Sequence, residues 1–243
     1  MPARDRSGPS FVDRCALVTG GAGGIGGAIV RALADRGARV AAVDLEPVPG
    51  AECSLQADLT DESATANAVA GAARALGGLE LLVCAAGVVS EAPLEQLSVR
   101  EWRRVVDSSL TATFMVLKAA IPYLRAAETA SVCAISSGWA RRPYPRGAHY
   151  AAGKAGIEAL VRAAATELAP DGIRVNAVAP GPIRTPMLDD LPAFDERARA
   201  EAIPLGRIGE PSDVVGPILF LLAPASGYMT GQVLGVSGGL VMP

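Results

Sequence analysis

Six short runs of small and branched apolar residues recur along the chain: CALVTG, ARVAAVD, LELLVCAAG, ASVCAISS, IRVNAVAP and GQVLGVSGG. A strand that is apolar at nearly every position, and not at alternate ones, is covered on both faces. Longer stretches with helical spacing lie between these runs, and helices are expected over 24–36, 61–76, within 98–126, 149–168 and 211–222. At the second of these, Thr60 is expected to supply a hydroxyl cap and Asp61 and Glu62 an acidic first turn. Strand and helix alternating throughout imply an α/β fold with a doubly wound parallel sheet, in three layers, α/β/α. Such sheets bind ligands beyond the carboxyl ends of their strands, so polar residues placed there carry the functional argument.

The 243 residues, half of them hydrophobic, suffice for one domain, expected over 11–243 behind a flexible polar segment, 1–10. A net charge of -3 without a basic run argues against nucleic acid as a partner. The opening MPARDRSGPS lacks a signal peptide's apolar core, and no uninterrupted apolar run appears long enough for a bilayer, so a cytoplasmic protein without membrane contact is expected. Cys15, Cys53, Cys84 and Cys133 lack the close spacing of a metal knuckle or redox pair, and His149 is the only histidine. Buried reduced thiols and no metal site follow.

The first strand runs directly into LVTGGAGGIGGAIV. Gly20, Gly24 and Gly26 there would make a tight turn without side chains at its closest points, followed by a helix whose free amides suit a pyrophosphate. Asp44 closes the second strand at the distance where a carboxylate accepts hydrogen bonds from both ribose hydroxyls of an adenosine and repels a phosphate. Leu45 and Glu46 follow it, with no basic residue in the glycine turn, so NAD is favoured over NADP. Asp58 and Leu59 end the third strand; the aspartate either meets the adenine amino group or caps a turn.

Tyr150 and Lys154 are four residues apart at the start of a helix and so share a face. A tyrosine phenol titrates near 10, and an adjacent ammonium together with the positive ring of an oxidised nicotinamide would lower it, making Tyr150 the acid/base with Lys154 as its activator. Ser137, ending the strand ASVCAISS, is placed to bind the substrate oxygen, with Ser136 the neighbouring candidate.

These residues resemble the short-chain dehydrogenase/reductase family in its single-domain branch, over 11–243. The matching patterns are Thr19-Gly20-x-x-x-Gly24-x-Gly26, Ser137, Tyr150-x-x-x-Lys154 and PGPIRT from Pro180 to Thr185. The resemblance implies a Rossmann fold, an NAD-dependent enzyme acting on a small molecule, and a homo-oligomer, expected as a tetramer. It implies that Ser137, Tyr150 and Lys154 are catalytic, that Lys154 also holds the nicotinamide ribose, and that Ile183 and Thr185 bind the carboxamide. Ile25, Leu45, Leu59, Ala85, Gly87, Pro180 and Gly181 complete the expected cofactor contacts. Two departures stand out. Cys84-Ala85-Ala86-Gly87 replaces the usual asparagine-led turn, and Ser109 stands where the family has an asparagine thought to hold a water beside the lysine.

Three arginines, Arg141, Arg142 and Arg146, with Trp139 and Tyr144, occupy the loop between Ser137 and Tyr150. Either some reach the pocket mouth and select an anionic substrate, or all are solvated loop charges. The segment 186–206, with Met187, Leu188, Leu191 and Phe194, has the pattern of a substrate lid. Between Asp44 and Asp58 there is too little chain for a helix, a shortening similar to family members that oxidise cyclic dihydrodiols or carboxylated rings. The expected activity is interconversion of a secondary alcohol and a ketone. The alternatives are a non-catalytic dinucleotide-binding sensor or scaffold, and an NADP-dependent ketoreductase.

Overall fold

The computed structural model describes residues 9–189, 191 and 196–242. Residues 1–8 of the expected flexible segment, and Phe194 of the expected lid, lie outside the described residues. Seven strands among those described form one parallel sheet: β1 (Cys15–Thr19), β2 (Arg39–Asp44), β3 (Cys53–Gln56), β4 (Leu81–Cys84), β5 (Ala130–Ile135), β6 (Ile173–Pro180) and β7 (Val233–Val236). Their order is β3-β2-β1-β4-β5-β6-β7, so the winding reverses between β1 and β4. This is the expected Rossmann fold, and the reversal opens a crevice at the carboxyl ends of β1 and β4.

The apolar runs divide their side chains between two helical layers. Leu17, Leu82, Val132 and Val175 join the core beneath α2 (Glu62–Leu76), α4 (Ala112–Ala126) and α5 (Ala148–Leu168). Their strand neighbours Val18, Val83, Cys133 and Val178 join the opposite core beneath α1 (Gly24–Asp35) and α8 (Pro211–Leu222). A period of two facing two cores explains why the strands are apolar throughout. Cys84 and Cys133 are buried within these layers, whereas Cys15 and Cys53 are only partly covered; all four are free thiols.

Several local expectations change in detail. The cap of α2 is Asp61, whose carboxylate accepts the Ala64 amide at 2.7 Å, while the Thr60 hydroxyl donates to Asp58. The helix expected within 98–126 is continuous but composite. It comprises α3 (Val99–Val106), a π-turn at Asp107–Thr111, and α4. By length and composition Val99–Ala126 is apolar enough to cross a membrane, though charges such as Asp107 and Lys118 interrupt it, and Val105, Val116, Ala120 and Leu124 along it are buried. Ala164 and Ala165 of α5 also face the chain's own core. Two short helices, α6 (Pro186–Asp189) and α7 (Glu196–Ala202), stand over the crevice.

Residues 45–52 connect β2 to β3 without a helix, as the sequence suggests, and Val48 is tucked inward with its amide on the Ser54 hydroxyl. The Asp61 cap offers a direct check on the local energetics. Asp61→Ala should cost about 1 kcal/mol, lowering the thermal midpoint by about 2–4 °C, whereas Thr60→Ala, which leaves the cap intact, should cost less in the same calorimetric scan.

Candidate active site

The crevice is a cleft of about 420 Å³ running from the glycine turn to the start of α5. Its floor depends on glycine. Gly20 has φ +68°, and a Cβ on it would lie 2.7 Å from the Ala85 carbonyl carbon. A Cβ on Gly26 would lie 2.0 Å from the Gly20 oxygen, and one on Gly24 would lie 2.5 Å from the Thr185 methyl. Only the absence of side chains lets β1, α1 and β4 come this close. Gly23 begins α1 without a side-chain cap, so the first-turn amides face the cleft free for an anion. A dinucleotide's pyrophosphate fits this cradle.

At the adenosine end, Asp44 lines the cleft and accepts the Ala22 amide at 2.9 Å and the Leu45 amide at 2.7 Å. The carboxylate is thereby oriented by the glycine turn it faces. Leu45 is largely exposed beside it, because no helix covers the 45–52 connection. Asp58 accepts the backbone and side chain of Thr60 through one oxygen, which holds its carboxyl below the usual range. It therefore closes a turn, as one of its two expected roles required, while still lining the cleft beside Leu59.

Ser137, Tyr150 and Lys154 converge at the opposite end, Ser137 and Lys154 buried and Tyr150 half-buried. Ser137 follows β5 and accepts the Trp139 amide at 3.2 Å; Tyr150 and Lys154 project from the first turns of α5. The Lys154 Nζ donates to the Ile135 carbonyl at 2.8 Å and lies 5.6 Å from the Tyr150 ring centroid. Burial pushes Tyr150 up to about 12, with a Ser137 hydrogen bond pulling the other way. Burial also pushes Lys154 down to about 8. Desolvation thus favours the neutral phenol, and the group that pulls Tyr150 down is Ser137, not Lys154 as the sequence led us to expect.

Other expected residues fall into place unevenly. Ile25, Ala85, Gly87, Pro180, Gly181, Ile183 and Thr185 line the cleft, while Thr19 is buried beneath it. Ser109 lies in the π-turn, wholly buried, and donates to the Val105 carbonyl at 2.8 Å. It does not line the cleft; Ser108 does, accepting the Val88 amide. Ser136 lines the cleft too, with its hydroxyl engaged by the Lys154 carbonyl and Glu158.

The loop arginines do not line the cleft. Arg141 pairs with buried Glu158 at 3.4 Å, Arg142 donates to the Leu240 carbonyl, and Arg146 takes a left-handed backbone with φ 71°. Trp139 does line it, packed edge-on against Tyr150, and Tyr144 stacks behind Trp139. Met187, Leu188 and Leu191 of the expected lid also line it, joined by Arg199 of α7. Sequence reasoning missed Arg199 because arginines closer in sequence to Tyr150 drew attention. Local spacing carried no signal for it, because α7 ends at Ala202 and the position of Arg199 over the cleft is set by tertiary folding.

A seven-stranded sheet of this order, with a glycine cradle and a Ser-Tyr-Lys end in one crevice, defines a nucleotide-dependent oxidoreductase. A family model described as enoyl-(acyl carrier protein) reductase matches residues 20–241, and the chain belongs to the short-chain dehydrogenase/reductase family. It is 38% identical to cis-4-hydroxycyclohexanecarboxylate dehydrogenase of Sinomonas cyclohexanicum, covering 96% of this chain and 98% of that one. It is 36% identical to the 3-oxoacyl-(acyl-carrier-protein) reductase of Thermotoga maritima, over 93% and 97%. Its fold is similar to ligand-free aldohexose dehydrogenase of Thermoplasma acidophilum, with a TM-score of 0.89 and 27% identity over 96% of this chain and 98% of that structure. The chain is an oxidoreductase, and family members use nicotinamide cofactors.

The buried lysine generates a pH prediction. Between pH 8 and its ordinary 10.5, the unfolded chain keeps the Lys154 proton and the folded chain does not, so this group makes stability rise with pH in that window. Urea unfolding from pH 7 to 10 should show the parent gaining stability relative to Lys154→Met as pH passes 8. A difference that stays constant across the range would place the lysine in a solvated environment.

Proposed function

We propose that this protein is an NAD-dependent oxidoreductase that interconverts a cyclic secondary alcohol and its ketone. The convergence of Ser137, Tyr150 and Lys154 at one end of a cleft, with Asp44 and the glycine cradle at the other, carries this reading. The nicotinamide cofactor, when bound, supplies the hydride acceptor or donor. The amides at the start of α1 would hold its pyrophosphate and Asp44 its adenosine ribose. Ile183 and Thr185 line the cleft where the carboxamide would sit, and Lys154 would reach the second ribose.

In this scheme Ser137 donates a hydrogen bond to the substrate oxygen and fixes the carbinol carbon. Tyr150 exchanges the hydroxyl proton. Below about pH 8 Lys154 is an ammonium, and a second positive charge brought into the cleft would add to it in favouring the phenolate. Alcohol oxidation needs that phenolate; ketone reduction needs the neutral phenol that burial already favours. Expulsion of water by Trp139, Leu188 and Leu191 would strengthen both electrostatic effects.

Asp44 supports NAD over NADP, because a 2′-phosphate would meet a carboxylate already fixed by two amides. Arg199 and Lys154 are the basic residues lining the cleft, and neither belongs to the 44–59 end. A cyclic, carboxylated substrate is supported by the similarity to the hydroxycyclohexanecarboxylate dehydrogenase. We extend the proposal to a cytoplasmic homotetramer in which the segment 186–206 acts as a lid. Partly exposed Trp102 and Phe114 on the 99–126 helical run support the assembly.

Two measurements test the reading. Tyr150→Phe should reduce NAD-linked oxidation of cyclic alcohols by about 10²–10⁴-fold while leaving NAD binding intact; retained turnover would remove Tyr150 from the acid/base role, and NAD binding without any turnover in the parent would favour the non-catalytic reading. Titration should show NAD binding more tightly than NADP, with Asp44→Ala narrowing the gap, and equal affinities in the parent would overturn the assignment.

A further inference from the structure

We propose that Arg199 is the anion receptor of the cleft, reading a carboxylate on the substrate remote from the carbinol carbon; this rests on the oxidoreductase reading above. Arg199 lines the cleft from α7, with its guanidinium 3.9 Å from the Tyr144 ring centroid. Tyr144 stacks on Trp139 at 5.1 Å and 25°, and Trp139 meets Tyr150 edge-on at 5.4 Å and 83°. One continuous chain of rings therefore links the guanidinium to the residue at the reaction end.

The charge is available. Arg184 pairs with Glu196 and Glu210, Arg197 with Glu201, and Arg207 with Asp213. Arg199, among them in sequence, has no ion pair and no hydrogen bond among the described residues; Tyr144 occupies one planar face. The N–H edge is left for a ligand, and a guanidinium stacked on a ring is already oriented, so less freedom is lost when a carboxylate takes its fork. Lys154 is committed to the Ile135 carbonyl at the reaction end.

The surroundings select the kind of anion. Trp139, Met187, Leu188 and Leu191 supply an apolar wall, which suits a compact hydrocarbon ring carrying one carboxylate. A phosphate dianion would call for further cations, and among the described residues the only other basic residue lining the cleft is Lys154, at the reaction end. Anion selectivity thus comes from α7, and the loop arginines, for which substrate selection was one of two roles left open, do not supply it.

The test uses cis-4-hydroxycyclohexanecarboxylate and its methyl ester as paired probes with NAD. In the parent enzyme kcat/KM should favour the acid. Arg199→Ala should lower kcat/KM for the acid about 10- to 100-fold, mainly through KM, and leave the ester unchanged. Arg199→Lys should restore part of the loss, and Arg197→Ala, on the exposed side of the same helix, should change neither probe. Calorimetric binding of cyclohexanecarboxylate to the NAD-loaded enzyme gives a readout independent of turnover, and Arg199→Ala should weaken it at least tenfold. Equal acid and ester turnover in the parent, or carboxylate binding that is undetectable or indifferent to Arg199, would overturn the proposal. If neither probe is oxidised, the proposed substrate class fails, while the binding comparison still decides the role of Arg199.

Discussion

The close approach of Gly26 to the Gly20 carbonyl holds the working part of this molecule together. A single methyl group at Gly26 would occupy space 2.0 Å from that oxygen, so the turn between β1 and α1 exists only with a bare backbone. From this contact follow the direction of α1, its uncapped amides at the cleft, and the proximity of Gly24 to Thr185 across it. The glycines therefore fix three elements with respect to one another, beyond bending the chain. The Cys84-Ala85-Ala86-Gly87 stretch meets Gly20 by its backbone, which is why a turn without asparagine still closes against it.

At the other end of the cleft the governing quantity is desolvation. Tyr150 and Lys154 are displaced in opposite directions by the same burial, each toward its neutral form. A site of this kind responds strongly to any charge brought into it, because little water is present to screen the interaction. Trp139 serves in both parts of the design: its amide hydrogen bonds to Ser137, and its ring lies between Tyr150 and Tyr144.

Much of this was legible in the chain itself. Uniformly apolar strands announced a sheet covered on both sides, and Tyr150 and Lys154 shared a helix face by spacing alone. The place of Asp44 on the cleft wall was legible because it follows from its position at a strand end. Asp58 was ambiguous, since a carboxylate before a hydroxyl residue serves a turn or a ligand equally well, and here Thr60 takes one oxygen. The loop arginines were ambiguous for a different reason. Proximity in sequence to Tyr150 does not set the direction of a loop side chain, and Glu158 and the Leu240 carbonyl draw Arg141 and Arg142 aside. Arg199 reaches the cleft through the tertiary placement of α7, which local spacing does not encode.

The π-turn at Asp107–Thr111 has a wider consequence. A helix that inserts an extra residue into one turn changes its angular phase, so the stretches before and after it obey different facing rules. Here α3 directs itself toward α5 and the loop after β4, where Glu101 bonds both Ser90 and Arg104, whereas α4 turns its apolar side against α2. One rod thus behaves as two differently aimed surfaces, joined at the position of Ser109. Its length in residues is therefore as constrained as its composition, because losing one residue at the junction would rotate one surface out of alignment with the other.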